Sequence, residues 1–308
     1  KEMIINQLSE FLGEYIDDMI SQIKSDKFDK YCFTNLLSSY LQMKIYIDKL
    51  NKIKNDEWNN MLYLQLEDSR DGWVDALDML LRSYFMKNLP MIIIDYSLIR
   101  KKGIVLSAFG GLSSGPLPLV EMVIKITSIL EQNYDCKMRV QELCLFVNDI
   151  KIIAKQIIYS VTDSNGNPNC DDSRYANNNM QVNSIVESMI NDFNNEINKL
   201  HNQNCDSDHN LCLITERTIV DIMNLAGKAV VSGNIRRTAE IALGEPNNEF
   251  MGLKDYSENP ERCGYSWTSN NSVFGTVGMD YTKIAEKNKY NGEPGIFYLD
   301  NARKYGRL

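Results

Sequence analysis

The stretch Val230-Val231-Ser232-Gly233-Asn234-Ile235-Arg236-Arg237-Thr238-Ala239-Glu240-Ile241-Ala242-Leu243-Gly244 constrains the fold of this chain more than any other. A helix reads from Thr218 to Ala226, capped by Thr215 with Glu216 beside it, and Val230-Val231 continues it or begins a turn. Gly233 permits backbone angles that other residues avoid, and Asn234 tolerates them better than most. Glu240 to Leu243 then reads as a short apolar strand. Repeated passage between helix and strand defines an α/β architecture. Arg236 and Arg237 carry fork-shaped donors that suit phosphates or base edges. At the mouth of a strand read as buried, such a loop is a candidate site for an anionic ligand. An Arg-Arg pair alone is most often solvated surface charge, so the weight rests on the whole run.

The chain has 308 residues, 44% hydrophobic and 24% charged, enough for a core in one large domain or two smaller ones. The net charge of −8 gives the chain as a whole no affinity for nucleic acid, so an anionic ligand needs a local basic pocket. The cysteines Cys32, Cys136, Cys144, Cys170, Cys205, Cys212 and Cys263 are odd in number and irregular in spacing. They read as free thiols in a reducing, cytoplasmic compartment rather than as a disulfide framework. Cys205, His209 and Cys212, with His201 nearby, lie in an Asn- and Asp-rich loop without a second ligand pair, so no metal site is expected. No run approaches the length of a membrane span. The chain starts with Lys and has no signal-like segment, which reads as a piece of a longer protein or a processed one.

Residues 1 to about 60 read as helices: Ile4, Leu8, Phe11, Leu12, Tyr15 and Met19 recur at helical spacing, and a second run covers roughly 31 to 55. Asp68 or Ser69 caps a helix carrying Trp73, Leu77, Leu80, Leu81 and Tyr84. Pro90 to Tyr96 reads as a buried strand leading to Arg100 and Gly103. A glycine-rich loop, Phe109 to Pro116 with Ser113, Ser114 and Gly115, precedes a helix whose start is marked by Pro116 and Pro118. Such loops can cradle phosphates through backbone N–H groups, although plain turns share the composition. Helical runs at 137–160 and 181–200 flank a polar stretch from Thr162 to Asn169, and Ile296 to Leu299 reads as a further strand after the Asn291–Gly295 turn.

In order and approximate spacing, Asp68–Trp73, Asp95–Arg100 with Gly103, Phe109–Leu119, Ile222–Gly244, Trp267–Val273 and Asn291–Asp300 with Tyr305-Gly306-Arg307 resemble the monomeric, adenosylcobalamin-dependent (class II) ribonucleoside-triphosphate reductases. The resemblance covers roughly residues 60–131 and 213–308. It implies part of a ten-stranded α/β barrel, with its first part and effector-site elements at 61–131 and its continuation at 213–308; residues 1–60, outside the resemblance, read as a helical segment, and residues 132–212, longer than the family's pattern, as a helical insertion. It implies conversion of NTP to dNTP by thiyl-radical chemistry, with adenosylcobalamin as cofactor, dNTP or ATP as allosteric effectors and thioredoxin or a similar dithiol as reductant. Residue by residue, Ser232, Gly233, Asn234, Arg236 and Arg237 resemble the specificity loop between effector base and substrate base. Asp68, with Ser69, resembles the group that holds the effector ribose, and Arg100 an effector-phosphate ligand. Ser113, Ser114 and Gly115 fall in the glycine-rich loop near these sites. Capping alone also explains Asp68, and Arg100 also reads as a residue flanking a strand.

The family's radical cysteine and catalytic glutamate lie in an Asn-Pro-Cys-Gly-Glu element that is expected beyond Leu308, so no catalytic residue is assigned and the chain alone is expected to be inactive. Most cobalamin contacts are likewise expected outside it. A fragment, one part of a split reductase and a non-catalytic dNTP-binding or regulatory module all accommodate the sequence. A large-subunit fragment of a diiron-dependent reductase is a further alternative, but the Ser-Gly-Pro-Leu-Pro-Leu wording fits the cobalamin branch better.

Overall fold

A computed structural model describes residues 1–106, 110–132, 136–162, 173–202, 214–233 and 237–306. The chain divides into two compact units, Lys1–Arg100 with Gly115–Cys212, and Lys101–Ser114 with Leu213–Leu308.

The first unit begins with α1 (Glu2–Lys24) and α2 (Lys30–Lys52). In α1, Ile4, Leu8, Phe11, Tyr15, Met19 and Ile23 are buried at intervals of three or four residues, giving one apolar stripe. Asp29 starts α2 by accepting the Tyr31 and Cys32 N–H groups at 2.9 and 3.0 Å. A short α3 (Asn55–Asn59) leads to β1 (Leu62–Gln65), α4 (Arg70–Phe85) and β2 (Ile92–Asp95). The two strands pair in parallel, Leu62 opposite Ile92 and Gln65 opposite Asp95. Every residue of β2 is buried, as an apolar run in a parallel sheet demands, whereas β1 is largely exposed.

Three longer helices complete this unit: α5 (Leu117–Gln132), α6 (Cys136–Ser160) and α7 (Ser173–Asn202). α6 and α7 pack on each other and on α1 and α2, while α5 packs on α2, α4 and α6. The Asn178 amide of α7 donates to the Ile23 carbonyl at 2.9 Å, satisfying one of the open acceptors at the end of α1. Ser39 donates to Glu121 at 2.7 Å and Lys125 pairs with the same carboxylate at 2.9 Å, so these three polar groups are matched to one another.

The second unit contains α8 (Glu216–Val231), β3 (Glu240–Gly244), α9 (Asn248–Gly252), β4 (Ser269–Phe274), α10 (Thr282–Asn291), β5 (Gly295–Phe297) and α11 (Leu299–Tyr305). Strands β3, β4 and β5 form a parallel sheet with β4 in the middle. Thr215 caps α8 by accepting the Thr218 N–H at 3.2 Å, and the helix runs through Val230-Val231. Val220, Phe250, Met251, Leu253, Val273 and Ile284 make the apolar core. The two small parallel sheets among helices make this a mixed α/β protein.

One expectation is corrected here. β3 is not a buried strand: its side chains alternate, and Ile241 and Leu243 are exposed. It lies at the edge of the described sheet, where one face stays open.

Arg262 is fully buried, with its Nε on Asp221 at 2.7 Å and an Nη1 bond to the Leu253 carbonyl. Arg217 approaches the other Asp221 oxygen at 3.5 Å. Removing one partner of such a pair strands a buried charge. Arg262→Ala is expected to cost about 3 kcal/mol, and replacing the pair jointly with Asp221→Leu and Arg262→Met less. Urea denaturation checks this; a single variant as stable as the double contradicts it.

Candidate functional site

The exit loops of β1 and β2 lie side by side because the strands are parallel and in register. Ligand sites in parallel sheets form at such carboxyl ends. The loop after β1 carries Asp68 and Ser69; the loop after β2 carries Arg100. Arg100 Nε donates to Asp68 Oδ2 at 2.6 Å, and both side chains remain partly exposed. Two residues nominated from separate motifs thus meet. Ser69, not Asp68, caps α4: its hydroxyl accepts the Gly72 N–H at 3.0 Å. Asp68 is therefore left for Arg100. The loop needs glycine at position 72, since a Cβ there would lie 2.3 Å from the Glu67 carbonyl oxygen.

Asp95, at the end of β2, carries the strongest electrostatics of this site. It is 1% exposed, yet its carboxylate accepts from the Tyr63 hydroxyl, from Gln7 at 2.8 Å, from Gln65 at 3.1 Å and from the Ser97 N–H at 2.9 Å. Burial works to raise its pKa, but the bonds from Tyr63, Gln7 and Ser97 prevail and hold it down at about 2. The same bond pushes the Tyr63 hydroxyl up. The one sequence signal for Asp95 was a lone carboxylate closing the apolar run Ile92-Ile93-Ile94.

The other nominated residues belong to the second unit, apart from Gly115. Ser113 pairs through its backbone: Gly103 N–H donates to its carbonyl at 2.9 Å, and its own N–H donates to Ile104 at 2.8 Å. That N–H is already committed. Gly115 is buried and has φ +74°. Ser232 ends α8, its hydroxyl donating to the Ala229 carbonyl at 2.8 Å, and Gly233 follows in a turn. Arg237 is exposed. Asn234 and Arg236 lie outside the described residues, as do Cys205, His209 and Cys212.

Beside α8, polar residues fill the interior of the second unit. Asn224 donates to Glu240 at 3.0 Å, and burial pushes the Glu240 carboxyl up. Lys254 donates to the carbonyls of Ser266 and Ser269 and lies 3.7 Å from Glu293; burial pushes its ammonium down. Glu293 in turn accepts the Asn271 N–H at 2.8 Å. The Asn224–Glu240 contact ties the start of β3 to α8.

The comparisons agree on a class. Residues 41–130 match the family model described as B12-dependent ribonucleotide reductase, insertion domain. A probable adenosylcobalamin-dependent ribonucleoside-triphosphate reductase of Dictyostelium discoideum is 35% identical over 243 residues, covering 78% of this chain and 22% of that protein. The adenosylcobalamin-dependent ribonucleoside-triphosphate reductases of Euglena gracilis and Lactobacillus leichmannii are 32% and 28% identical, over 79% and 80% of this chain and 23% and 24% of theirs. No solved structure matches. The family model and these relatives all belong to the B12-dependent ribonucleotide reductases. This chain is similar to a portion of the adenosylcobalamin-dependent ribonucleoside-triphosphate reductases and spans about a quarter or less of the length of these relatives.

Because the Asp95 pKa is lower in the folded chain than its ordinary 3.8, the carboxylate stabilises the fold above about pH 4, and this is lost as pH falls towards 2. The contribution is of order 2 kcal/mol. Urea denaturation between pH 5 and pH 2 is expected to show a shallower loss of stability for Asp95→Asn than for the native chain; parallel curves contradict the assignment.

Proposed function

We propose that this chain is the portion of an adenosylcobalamin-dependent ribonucleoside-triphosphate reductase that reads a nucleotide effector and passes its identity to the substrate base. The observation that carries the reading is the Arg100–Asp68 pair at the carboxyl ends of two parallel strands, inside sequence homologous to those reductases. A guanidinium suits the phosphates, and a carboxylate accepts from a ribose hydroxyl. Arg100 binds effector phosphate, Asp68 with Ser69 the ribose, and Ser232, Gly233, Asn234, Arg236 and Arg237 form the specificity loop. Ser113, Ser114 and Gly115 belong to the family's glycine-rich loop. In the whole enzyme β3, β4 and β5 belong to a ten-stranded α/β barrel, with 1–60 and 132–212 as its helical additions, while β1 and β2 fall within the stretch that matches the insertion-domain model. NTP is the substrate, thioredoxin or a similar dithiol the reductant, and the cytoplasm the compartment.

The helix-lined cavity of the first unit does not fit adenosylcobalamin. The cavity among α2, α5 and α6, lined by Gln42, Tyr46, Thr127 and Phe146 among others, has a volume of about 10 Å³, room for one water and not for a corrin. No step of the radical chemistry is therefore assigned to these side chains. Their part is to bind and orient nucleotides.

Calorimetric titration of the chain with each of the four dNTPs tests the proposal. At least one is expected to bind, and Arg100→Ala to weaken that binding about tenfold or more, as loss of a charged hydrogen bond does. Absence of binding, or affinity indifferent to Arg100, overturns it.

A further inference from the structure

We propose that Asp95 is the positioning residue of the Asp68–Arg100 site, and that Gln7 extends this hold to the N-terminal helix. The inference rests on the nucleotide reading of that site and deepens it.

A buried carboxylate is costly unless donors surround it, so a residue serving only to pack β2 would be apolar like Ile92, Ile93 and Ile94. Asp95 instead joins three separate pieces of chain. Tyr63 and Gln65 reach it from β1, Ser97 from its own exit loop and Gln7 from α1. Gln7 makes a two-ended bracket: its amide nitrogen donates to Asp95, and its oxygen accepts the Tyr96 N–H at 3.3 Å. The Asp95 carbonyl accepts the Leu66 N–H at 3.1 Å, which ties the β1 exit to the β2 exit. Beyond Asp95, Tyr96 and Ile99 are buried and joined by an Ile99 N–H to Tyr96 carbonyl bond of 3.0 Å. Arg100 comes next. Asp68 follows Gln65, an Asp95 donor, by only three positions. Both members of the pair therefore stand on short loops whose roots converge on one carboxylate.

The hold is electrostatic and directional as well as steric. An ionised Asp95 accepts from all of its donors at once, whereas an amide turns one acceptor into a donor facing the same N–H and O–H groups. Removing the charge frees the exit loops without emptying the core.

The test uses the 308-residue chain and the tightest-binding of the four dNTPs. Asp95→Asn, Gln7→Ala and Arg100→Ala are compared singly and as Asp95→Asn/Arg100→Ala and Gln7→Ala/Arg100→Ala doubles, each checked by thermal melting. Asp95→Asn is expected to weaken dNTP binding about tenfold, and the penalty for Arg100→Ala to shrink at least about threefold in that background, the signature of coupled residues. An affinity within about twofold of the native chain overturns the proposal. An Arg100→Ala penalty equal in both backgrounds also overturns it, because that is what a merely structural residue produces. If Asp95→Asn does not fold, Gln7→Ala decides, since it removes one bracket from outside the sheet. It is expected to weaken binding roughly threefold, again with a smaller Arg100 penalty, and unchanged affinity overturns the proposal. Failure of the nucleotide reading shows separately, as native-background affinity indifferent to Arg100→Ala, and it removes this proposal with it.

Discussion

A carboxylate taken out of water at the end of a buried strand has to be met by donors, and the chain meets Asp95 with Tyr63, Gln65, Ser97 and Gln7. That requirement organises the surrounding structure. It holds two parallel strands in register, fixes both of their exit loops and attaches the first helix to them. The Arg100–Asp68 pair is a consequence: two loops anchored on one group bring a cation and an anion from distant positions to 2.6 Å. An exposed ion pair of this kind contributes little to stability by itself. Its chemical use lies in where it stands.

The second unit solves a similar problem differently. Its interior holds Asp221 against Arg262, Glu240 against Asn224, and Lys254 against two carbonyls. Each buried charge has a partner drawn from another element, so the three strands are fixed relative to α8 and to the segment ahead of β4. Gly227 shows how tight the arrangement is: a Cβ there would lie 2.0 Å from Glu240 Oε1.

Much of this was legible in the sequence. The stripe from Ile4 to Met19 gave α1, Ser69 and Thr215 gave the caps, and the apolar run before Asp95 gave β2. Asp68 and Arg100 were nominated by resemblance, each with a bland alternative; the Ser69 cap removes the capping alternative for Asp68. What escaped depended on distant partners. β4 reads as a polar segment because Ser269 and Asn271 are buried with hydrogen bonds instead of apolar contacts. α10 buries only Ile284, too little for a periodic signal. β1 is short and exposed, and its strand character comes from pairing with β2. The role of Asp95 depends on residues 30, 32 and 88 positions away, which no local pattern reveals.

A crystal structure of the chain grown with a bound dNTP tests the central claim most directly. The account predicts triphosphate oxygens on the Arg100 guanidinium and a sugar hydroxyl on the Asp68 carboxylate, with the Asp95 bonds to Gln7, Tyr63 and Ser97 intact. A nucleotide seated away from the β1 and β2 exit loops, with Arg100 and Asp68 making no contact to it, would contradict it.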